Sequence, residues 1–361
     1  MTNTEALPLV SADAHVEEPH DLWFENLPES MREAAPRRIR HKGDGGWELI
    51  VNGVPLRASS SKDEEDRIRA VRPEARFEMM KTDGISGECV FPTIGLYTWG
   101  LEDPGVGEAC CRVYNDWVYD LLESKSPRFR CAGIIPMWSP EAAVREVERI
   151  AEMGLASAML PIVANPEYNR PIWEPLWTVL EQTGLPVVLH QGTGHDMLFY
   201  GGPGAAVSNL LATQSMAPRS VALLSTSGVL ERHPGLHFIF VEMNAGWMAW
   251  AMETLDWYHE HFQGYGWVNP QLSELPSFYI ARQIHATFQY DPVAMDNIKR
   301  TGARPLLWGN DFPHDEGTYP RSREIVQKMC QDLSLEDAAS VVGGTAVEIF
   351  KFDPAILTTP V

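Results

Sequence analysis

Short apolar runs alternate with longer helical patterns along most of the chain, and this alternation constrains the fold more than any other feature. Eight runs, each too short for a helix, have the character of buried strands. They lie at 9–12, 87–91, 130–136, 157–161, 186–190, 237–241, 286–290 and 305–309. Helical patterns lie between them at 107–126, 141–153, 173–183, 217–231, 246–261 and 292–301. Strands that alternate with helices predict a parallel sheet, and eight such strands can close into a (β/α)8 TIM barrel.

One interval interrupts the alternation. Residues 20–82, between the first and second predicted strands, are too many for a simple connection. Within this interval, the apolar stretch 47–56 contains Asn52-Gly53, a pair typical of hairpin turns. We therefore predict a single barrel domain over 1–361, with a capping insertion at 20–82 after the first strand. A closing helix or helix pair is predicted at 335–350.

The charge balance excludes several classes of partner. The 361 residues include 29 Lys and Arg against 49 Asp and Glu, a net charge of −20, which repels nucleic acid and anionic membranes.

No run approaches the ~18 apolar residues of a membrane span, and the N-terminal residues lack the pattern of a secretory signal. The five cysteines show no C-x-x-C spacing and are interpreted as reduced thiols. We therefore expect a cytoplasmic protein.

Acidic residues and histidines occur where the predicted strands end. Each of them alone has an ordinary structural explanation, such as a buried histidine or a helix cap. Together they lie at the end of the barrel where active sites are built, and they are residue types that bind metal ions. We therefore predict a metal site from the residues at the ends of strands 1, 5 and 8, which are Asp13, His15, His190 and Asp311.

The motifs around these residues resemble those of the amidohydrolase-2 family, metal-dependent barrels that include aminocarboxymuconate-semialdehyde decarboxylase and resorcylate decarboxylase. The motifs are D-A-H-V-E-E-P at 13–19, L-H-Q-G at 189–192, E-M-N-A-G-W at 242–247, G-N-D-F-P-H at 309–314 and G-G-T-A-V-E-I-F at 343–350. This resemblance spans nearly the whole chain and implies a barrel fold. It also implies metal ligands at four positions, Asp13, His15, His190 and Asp311.

One position departs from the decarboxylases of the family. Their sixth strand ends in a histidine that takes part in the chemistry, whereas this chain has Glu242. A carboxylate acts as a near-neutral acid or base only if its pKa is raised, but it can bind metal. With Glu18 and His314 added, the possible ligands number seven: Asp13, His15, Glu18, His190, Glu242, Asp311 and His314. Such a set suits two carboxylate-bridged ions, or one ion with hydrogen-bonding residues around it, and the spacing does not separate these arrangements.

Two function classes follow from these arrangements. The carboxylate-rich set is similar to that of a non-heme di-iron monooxygenase of amidohydrolase fold from platensimycin and platencin biosynthesis. This resemblance implies two iron ions, O2 as co-substrate, an electron donor that the sequence does not identify, and a diterpenoid substrate carried as a coenzyme A thioester. We favour this function. The alternative is a hydrolase or decarboxylase with one Zn2+ or Mn2+, which polarises a carbonyl or activates water.

Further residues are candidates for catalysis and for substrate binding. Catalysis is assigned to three residues, Glu242, His314 and His195, the last of which lies in a glycine-rich loop. The insertion contains one dense basic run suited to coenzyme A phosphates, although such runs are more often solvated surface; its residues are Arg37, Arg38, Arg40 and Lys42. Tryptophans near the predicted loops favour a bulky apolar substrate. The family resemblance implies a homodimer.

Overall fold

Parallel strands form a barrel in this structure, a computed structural model that describes residues 4–40, 46–59, 71–194, 200–359 and 361. The described strands are β1 (Leu9–His15), β2 (Arg37–Arg40), β3 (Trp47–Val51), β4 (Val54–Ser59), β5 (Ile85–Phe91), β6 (Phe129–Ile134), β7 (Ser157–Pro161), β8 (Val187–His190), β9 (Phe238–Val241), β10 (Ile284–Phe288) and β11 (Leu306–Trp308). The barrel contains β1 and β5–β11, paired in chain order. The predicted (β/α)8 TIM barrel is confirmed.

Each of the eight predicted barrel strands is found within three residues of its expected bounds. The largest difference is in β1, which was predicted to end at residue 12 and continues to His15. Asp13 and His15 lie within the strand, which pairs with β5 as far as His15, and both residues are fully buried. A sequence reading that expects polar residues in loops therefore ends this strand too early.

The segment after the last strand returns to β1 and closes the barrel. The His15 N–H donates to the Phe312 carbonyl over 2.7 Å, and the Asp311 N–H donates to the Asp13 carbonyl over 2.8 Å. The backbones approach closely at Gly309, where an added Cβ would lie 2.3 Å from the Asp13 Cβ. Any side chain at position 309 would therefore force the first and last strands apart.

Helices surround the barrel. They are α1 (Leu22–Asn26), α2 (Pro73–Asp83), α3 (Pro104–Val118), α4 (Pro140–Met153), α5 (Glu174–Thr183), α6 (Ala205–Gln214), α7 (Met216–Thr226), α8 (Val229–Arg232), α9 (Met248–Gln263), α10 (Pro276–Gln283), α11 (Pro292–Asp296), α12 (Ile298–Thr301), α13 (Ser322–Met329), α14 (Leu335–Ala339), α15 (Thr345–Ile349) and α16 (Pro354–Leu357). The predicted helix 217–231 is divided at Gly228, which has a left-handed φ of 80°. No helix among the described residues has both the length and the apolar character needed to cross a bilayer.

The interval 20–82 contains a small antiparallel sheet of β2, β3 and β4. The predicted hairpin is confirmed, because Asn52 and Gly53 join β3 to β4 with φ of 54° and 73°, the left-handed values of a tight hairpin turn. The Asn52 side chain donates to the Gly100 carbonyl over 2.8 Å, which ties the turn to the segment after β5. That this interval caps the barrel stays a prediction.

Two histidines lie where β9 and β10 begin. The His237 Nδ1 is 3.0 Å from the His285 Nε2, and the His285 Nδ1 is 3.1 Å from the Arg304 carbonyl oxygen. Because a carbonyl only accepts, His285 donates through Nδ1 and accepts from His237 through Nε2. Burial, followed by the charge of His237, lowers the pKa of His285 to about 3, so its imidazole is neutral in the folded protein at neutral pH.

We expect His285 to weaken the fold in mild acid. Its folded pKa of about 3 lies below the ordinary value of 6.5, so the unfolded chain binds more protons between these two values. The free energy of unfolding therefore decreases as the pH falls through 6.5, by up to about 1.4 kcal/mol per pH unit. His285→Gln removes this titrating group. The contributions of the other titratable groups to the pH dependence of stability cancel when the variant is compared with the wild type.

Chemical denaturation at about pH 7 and about pH 5.5 measures the effect. His285→Gln should lose less stability in acid than the wild type. His261→Gln, at an exposed position, serves as the control and should behave as the wild type does. If the free energy of unfolding fell equally between the two pH values in all three proteins, the prediction would be contradicted.

Candidate metal centre

Six side chains converge at the carboxyl ends of the barrel strands. β1 supplies two of them, the last residue of β8 supplies one, and the segments after β9 and β11 supply the other three. They form two overlapping groups, in each of which one nitrogen or oxygen atom per residue lies within 4.8 Å of the others. The groups are Asp13, His15, His190 and Glu242, and His15, Glu242, Asp311 and His314. Six of the seven predicted ligands therefore lie together.

His15 belongs to both groups and is fully buried. Its Nε2 lies 3.1 Å from the Glu242 Oε1 and 3.6 Å from one oxygen each of Asp13 and Asp311. Its Nδ1 lies 2.9 Å from the Pro92 carbonyl oxygen, which fixes the ring orientation. Burial and the charge of His314 lower the pKa of His15, but the neighbouring carboxylates of Asp13 and Glu242 raise it to about 9.

The relation between His15 and His190 is the clearest sign of a cation site. The His190 Nδ1 lies 2.7 Å from the Gln191 carbonyl oxygen, and its Nε2 lies 3.1 Å from the His15 Nε2. Because each Nδ1 faces a carbonyl, each neutral ring carries its proton on Nδ1. The two Nε2 lone pairs then face each other, and this arrangement is stable only with a proton or a metal ion between them. Two such nitrogens beside carboxylates fit a divalent ion of the zinc or manganese type.

The carboxylates of the cluster carry unpaired oxygens. The Asp13 Oδ1 and the Asp311 Oδ2 are buried and have no hydrogen-bond partner among the described residues. Burial raises the pKa of both groups. Burial also acts to raise the pKa of Glu242, but the charge of His190 and hydrogen bonds to two other histidines hold it well below its ordinary value. A divalent ion would satisfy the unpaired oxygens and offset the buried negative charge.

Left-handed backbone conformations are concentrated at this centre. Glu242, Asn244 and Asp311 have φ of 60°, 52° and 54°. This region is uncommon for residues other than glycine, and each occurrence costs on the order of 1 kcal/mol. The segment after β9 is held by Asp291, whose Oδ2 accepts from the N–H groups of residues 245 and 246 over 2.7 Å each. These bonds hold Glu242 in a conformation that it would otherwise rarely adopt.

A model of the amidohydrolase family, Amidohydro_2, matches residues 12–352 of the chain. The chain belongs to this family. The fold and the family predicted from the motifs at the strand ends are both confirmed.

Similar proteins include several decarboxylases. The γ-resorcylate decarboxylase of Rhizobium sp. MTP-10005 is 23% identical over 217 residues, which cover 56% of this chain and 64% of that protein. The chain spans between 47% and 65% of the length of the curated relatives it matches. Among solved structures, 5-carboxyvanillate decarboxylase LigW from Sphingomonas paucimobilis has a TM-score of 0.72 at 20% identity, covering 96% of this chain and all of that one.

A second solved structure carries a metal. Dihydroxybenzoic acid decarboxylase from Polaromonas sp. JS666, with bound manganese and the inhibitor 2-nitroresorcinol, has a TM-score of 0.68 at 18% identity and covers 96% of this chain and 97% of that one. At these identities the likeness to solved structures concerns the fold. The metal is a property of that protein.

The prediction of a di-iron monooxygenase is wrong. The similar proteins are named decarboxylases, and neither two irons with O2 nor a role in terpenoid biosynthesis is supported. The error came from counting possible ligands by chain position alone. The fold brings six of the seven residues together, and the two groups share His15 and Glu242. The alternative, a zinc- or manganese-dependent hydrolase or decarboxylase, is better supported.

The seventh residue, Glu18, lies outside both groups. Its carboxylate accepts from the N–H of Ile94 over 2.8 Å, from that of Gly95 over 2.9 Å and from that of Thr93 over 3.3 Å. Glu18 therefore holds the segment after β5 in place. That segment contributes the Thr93 Oγ1, which lies 3.4 Å from the Nε2 of His314, so Glu18 acts on the cluster through the backbone.

The basic run has a mainly structural setting where it is described. Arg38 is buried, donates to the Glu17 carboxylate over 2.7 Å and lies over the Trp47 ring. The Arg37 guanidinium lies over the Phe24 ring at 5.5 Å. Phosphate binding by this run stays a prediction. The Arg40 side chain, Lys42 and the predicted catalytic His195 lie outside the described residues.

Three residues around the cluster escaped the sequence reading because they are neutral. The Gln191 Nε2 donates to the Glu242 Oε2. Thr287 and Gln289 donate to the Asp13 Oδ2 over 3.1 Å and 3.2 Å. A search for acids and histidines passes over such residues. The sequence signal that could have identified these three residues was their position at or just after the carboxyl ends of β8 and β10.

We expect an ion at this cluster to stabilise the fold measurably. A ligand that binds only the folded state raises the melting temperature, so added Mn2+ should raise it in the wild type. Asp311→Asn removes one buried negative charge but keeps an oxygen for the 2.8 Å hydrogen bond from His314. In the presence of a chelator this variant should therefore melt no lower than the wild type, whereas its response to Mn2+ should shrink or vanish.

Thermal denaturation with a chelator and with Mn2+ measures both effects. Glu253→Gln, at an exposed position on α9, is the matched control and should respond to Mn2+ as the wild type does. A response of Asp311→Asn equal to that of the wild type would show that Asp311 does not contact the ion.

Proposed function

We propose that this protein is a decarboxylase that uses a single Mn2+ or Zn2+ ion and acts on a hydroxylated aromatic carboxylate. The observation that carries the proposal is the pair of imidazole Nε2 atoms, 3.1 Å apart, facing each other beside buried carboxylates. Similar proteins support both decarboxylation and the substrate class, because they are decarboxylases of γ-resorcylate, 5-carboxyvanillate and dihydroxybenzoic acid. The manganese of one structural neighbour supports the metal.

Four residues would hold the ion, namely Asp13, His15, His190 and Asp311, at the positions that the family resemblance implies. The unpaired oxygens of the two aspartates and the facing nitrogens of the two histidines supply the donor atoms. When bound, the ion would polarise a substrate oxygen and stabilise the negative charge that develops as the carboxylate leaves.

His314 is placed to move the proton. Its side chain is 16% exposed, more than Glu242 at 7% or His190 at 1%, so it is the most exposed imidazole of the cluster. Its Nδ1 lies 2.8 Å from the Asp311 Oδ1, which orients the ring. In decarboxylation the bond between the ring carbon and the carboxylate breaks, its electron pair remains on the ring carbon, and a proton must be added there. We assign the delivery of that proton to His314, since Glu242 occupies the position of the family's usual histidine.

Hydrolysis is the second candidate, and Glu242 favours it. Its Oε1 lies 3.1 Å from the His15 Nε2 and would therefore lie beside the ion. A carboxylate in that place can accept a proton from an attacking water. Product analysis separates the two reactions, because hydrolysis consumes water and releases no CO2.

The decarboxylase proposal is tested with Mn2+- and Zn2+-loaded protein and two acids, 2,6-dihydroxybenzoate and 5-carboxyvanillate. We expect release of CO2 and, in D2O, deuterium on the carbon that lost the carboxylate. His314→Gln should lower kcat by about a hundredfold or more while keeping its metal content, as loss of a general acid predicts. Elemental analysis measures the metal.

His233→Gln, at a position bound to Glu174 and Glu181 away from the cluster, is the control for this experiment. It should retain both metal and activity. Absence of CO2 release together with cleavage of lactones or amides would replace decarboxylation by hydrolysis. Loss of the metal in His314→Gln would make His314 a ligand instead of the proton donor.

We also propose that the homodimer implied by the family resemblance forms through an aromatic surface on α9 and the residues after it. This surface consists of Trp250, Trp257, Tyr258, Tyr265 and Trp267, whose side chains are 49% to 70% exposed. Aromatic side chains of this size present roughly 600 Å² in total at such exposure. A stable interface buries about 800 Å² per partner, so this surface would supply most of its apolar centre.

Sedimentation velocity tests the dimer. The double variant Trp250→Glu/Trp257→Glu should be monomeric at concentrations where the wild type is dimeric. The control is Val207→Glu/Leu211→Glu on α6, where the original side chains are 76% and 71% exposed; it should remain dimeric. A monomeric wild type, or dissociation by the α6 substitutions alone, would contradict this proposal.

A further inference from the structure

A single buried hydroxyl connects two of the carboxylate residues of the cluster. Thr287 lies in β10 and is fully buried. Its Oγ1 is 2.9 Å from the backbone nitrogen of Glu242 and 3.1 Å from the Asp13 Oδ2. The hydroxyl therefore bridges residues that come from the first barrel strand and from the segment after β9.

The direction of both hydrogen bonds follows from the groups involved. A backbone N–H can only donate, so the Thr287 oxygen accepts from Glu242. The hydroxyl proton is then available for Asp13, which accepts it as a carboxylate. The side chain of a β-branched residue is also stiff about χ1. Thr287 thus holds both neighbours with one fixed orientation of its hydroxyl.

For Asp13, this bond decides which oxygen faces the cluster. The Oδ2 is occupied by Thr287 and by the Gln289 amide at 3.2 Å. The Oδ1 has no hydrogen-bond partner among the described residues and lies 3.6 Å from the His15 Nε2. Thr287 therefore turns the unpaired oxygen toward the place of the ion.

For Glu242, the hydrogen bond from its backbone N–H to Thr287 holds the backbone in the conformation that directs the side chain to the cluster. The residue has a left-handed φ of 60°, which a glutamate rarely adopts without support. The bond to Thr287 satisfies its buried N–H in that conformation. The carboxylate then reaches the Nε2 of His15 with Oε1 and the Gln191 amide with Oε2.

We propose that Thr287 is a positioning residue for the metal centre, which sets the geometry of Asp13 and Glu242 together through one hydroxyl. It touches no ion or substrate itself and acts through these two neighbours. The inference rests on the proposed metal centre and goes beyond it, because it assigns metal affinity to a neutral residue of a strand that contributes no ligand.

The test compares two substitutions that separate the hydroxyl from the methyl group. Thr287→Val keeps the shape and the β-branch but removes the hydroxyl, whereas Thr287→Ser keeps the hydroxyl and removes a methyl. The dissociation constant for Mn2+ is measured by calorimetry on chelator-treated protein. Thr287→Val should bind Mn2+ about 10- to 100-fold more weakly, the range for loss of a residue that orients metal ligands. Thr287→Ser should stay within about threefold of the wild type.

Gln289→Met is the matched control, because the Gln289 amide bonds to Asp13 and not to Glu242. Its loss of affinity should be smaller than that of Thr287→Val. The electron paramagnetic resonance spectrum of bound Mn2+ gives a second readout, which should change in Thr287→Val and remain unchanged in Thr287→Ser. Neither readout depends on turnover.

Melting temperatures in chelator separate positioning from a purely structural role. If Thr287→Val lowers the melting temperature but binds Mn2+ as the wild type does, Thr287 is structural and the inference fails. If Thr287→Ser weakens binding as much as Thr287→Val, the hydroxyl is not the cause and the inference also fails. If the wild type binds neither Mn2+ nor Zn2+, the proposed function fails and this inference fails with it. If the wild type binds Mn2+ tightly but decarboxylates neither acid, the proposed function fails. The comparison of the Thr287 variants then still decides this inference.

Discussion

The structure depends on how the barrel accommodates three carboxylates and three imidazoles in a nearly dry space. The facing nitrogens of His15 and His190 need a proton or a metal ion between them, and the buried Oδ1 of Asp13 and Oδ2 of Asp311 have no hydrogen-bond partner among the described residues. The Nδ1 of each histidine is already bonded to a backbone carbonyl, and the second oxygen of Asp13 is bonded to Thr287 and Gln289. Burying such groups uncompensated is costly. A divalent cation relieves all of them together, so the proposed ion serves the fold as well as the chemistry.

Strands and loops have different roles at this centre. The strand ends determine which residue types are present, since parallel strands deliver their carboxyl ends to one face of a barrel. The segments after the strands orient those residues, as the Pro92 carbonyl does for His15 and the Asp291 carboxylate does for the segment that contains Glu242. Glu18 belongs to this second role, because it binds backbone N–H groups after β5.

Sequence reasoning predicted the barrel and its strands because short apolar runs at regular intervals have few other packings. It also predicted the clustered side chains, because residues at successive strand ends of a barrel must lie close together. It failed where the three-dimensional partner decides the role. Glu18 has the chemistry of a ligand, but its bonds to Ile94 and Gly95 depend on how the chain turns after β5. Thr287 has no charge, and only the distances to Asp13 and Glu242 reveal its position between them.

The choice of reaction failed for a related reason. Counting carboxylates predicted two irons, whereas ligand number depends on side-chain direction, which periodicity does not contain. Glu242 in place of the family's histidine is a real difference in the chain. The consequence of this difference for the reaction depends on His314. The Nδ1 of His314 lies 2.8 Å from the Asp311 Oδ1 because the chain bends after β11.

The barrel seam also bears on how the protein is made. Asp13 and His15 are synthesised before the other barrel strands, and Asp311 and His314 after them, yet backbone hydrogen bonds join the two segments directly. During translation a growing chain contains only four of the six clustered residues until β11 has emerged. Folding that proceeds from the N-terminal side must therefore leave β1 without its last partner until β11 and the segment after it have been synthesised. An ion held by the whole cluster would then distinguish closed barrels from incomplete ones.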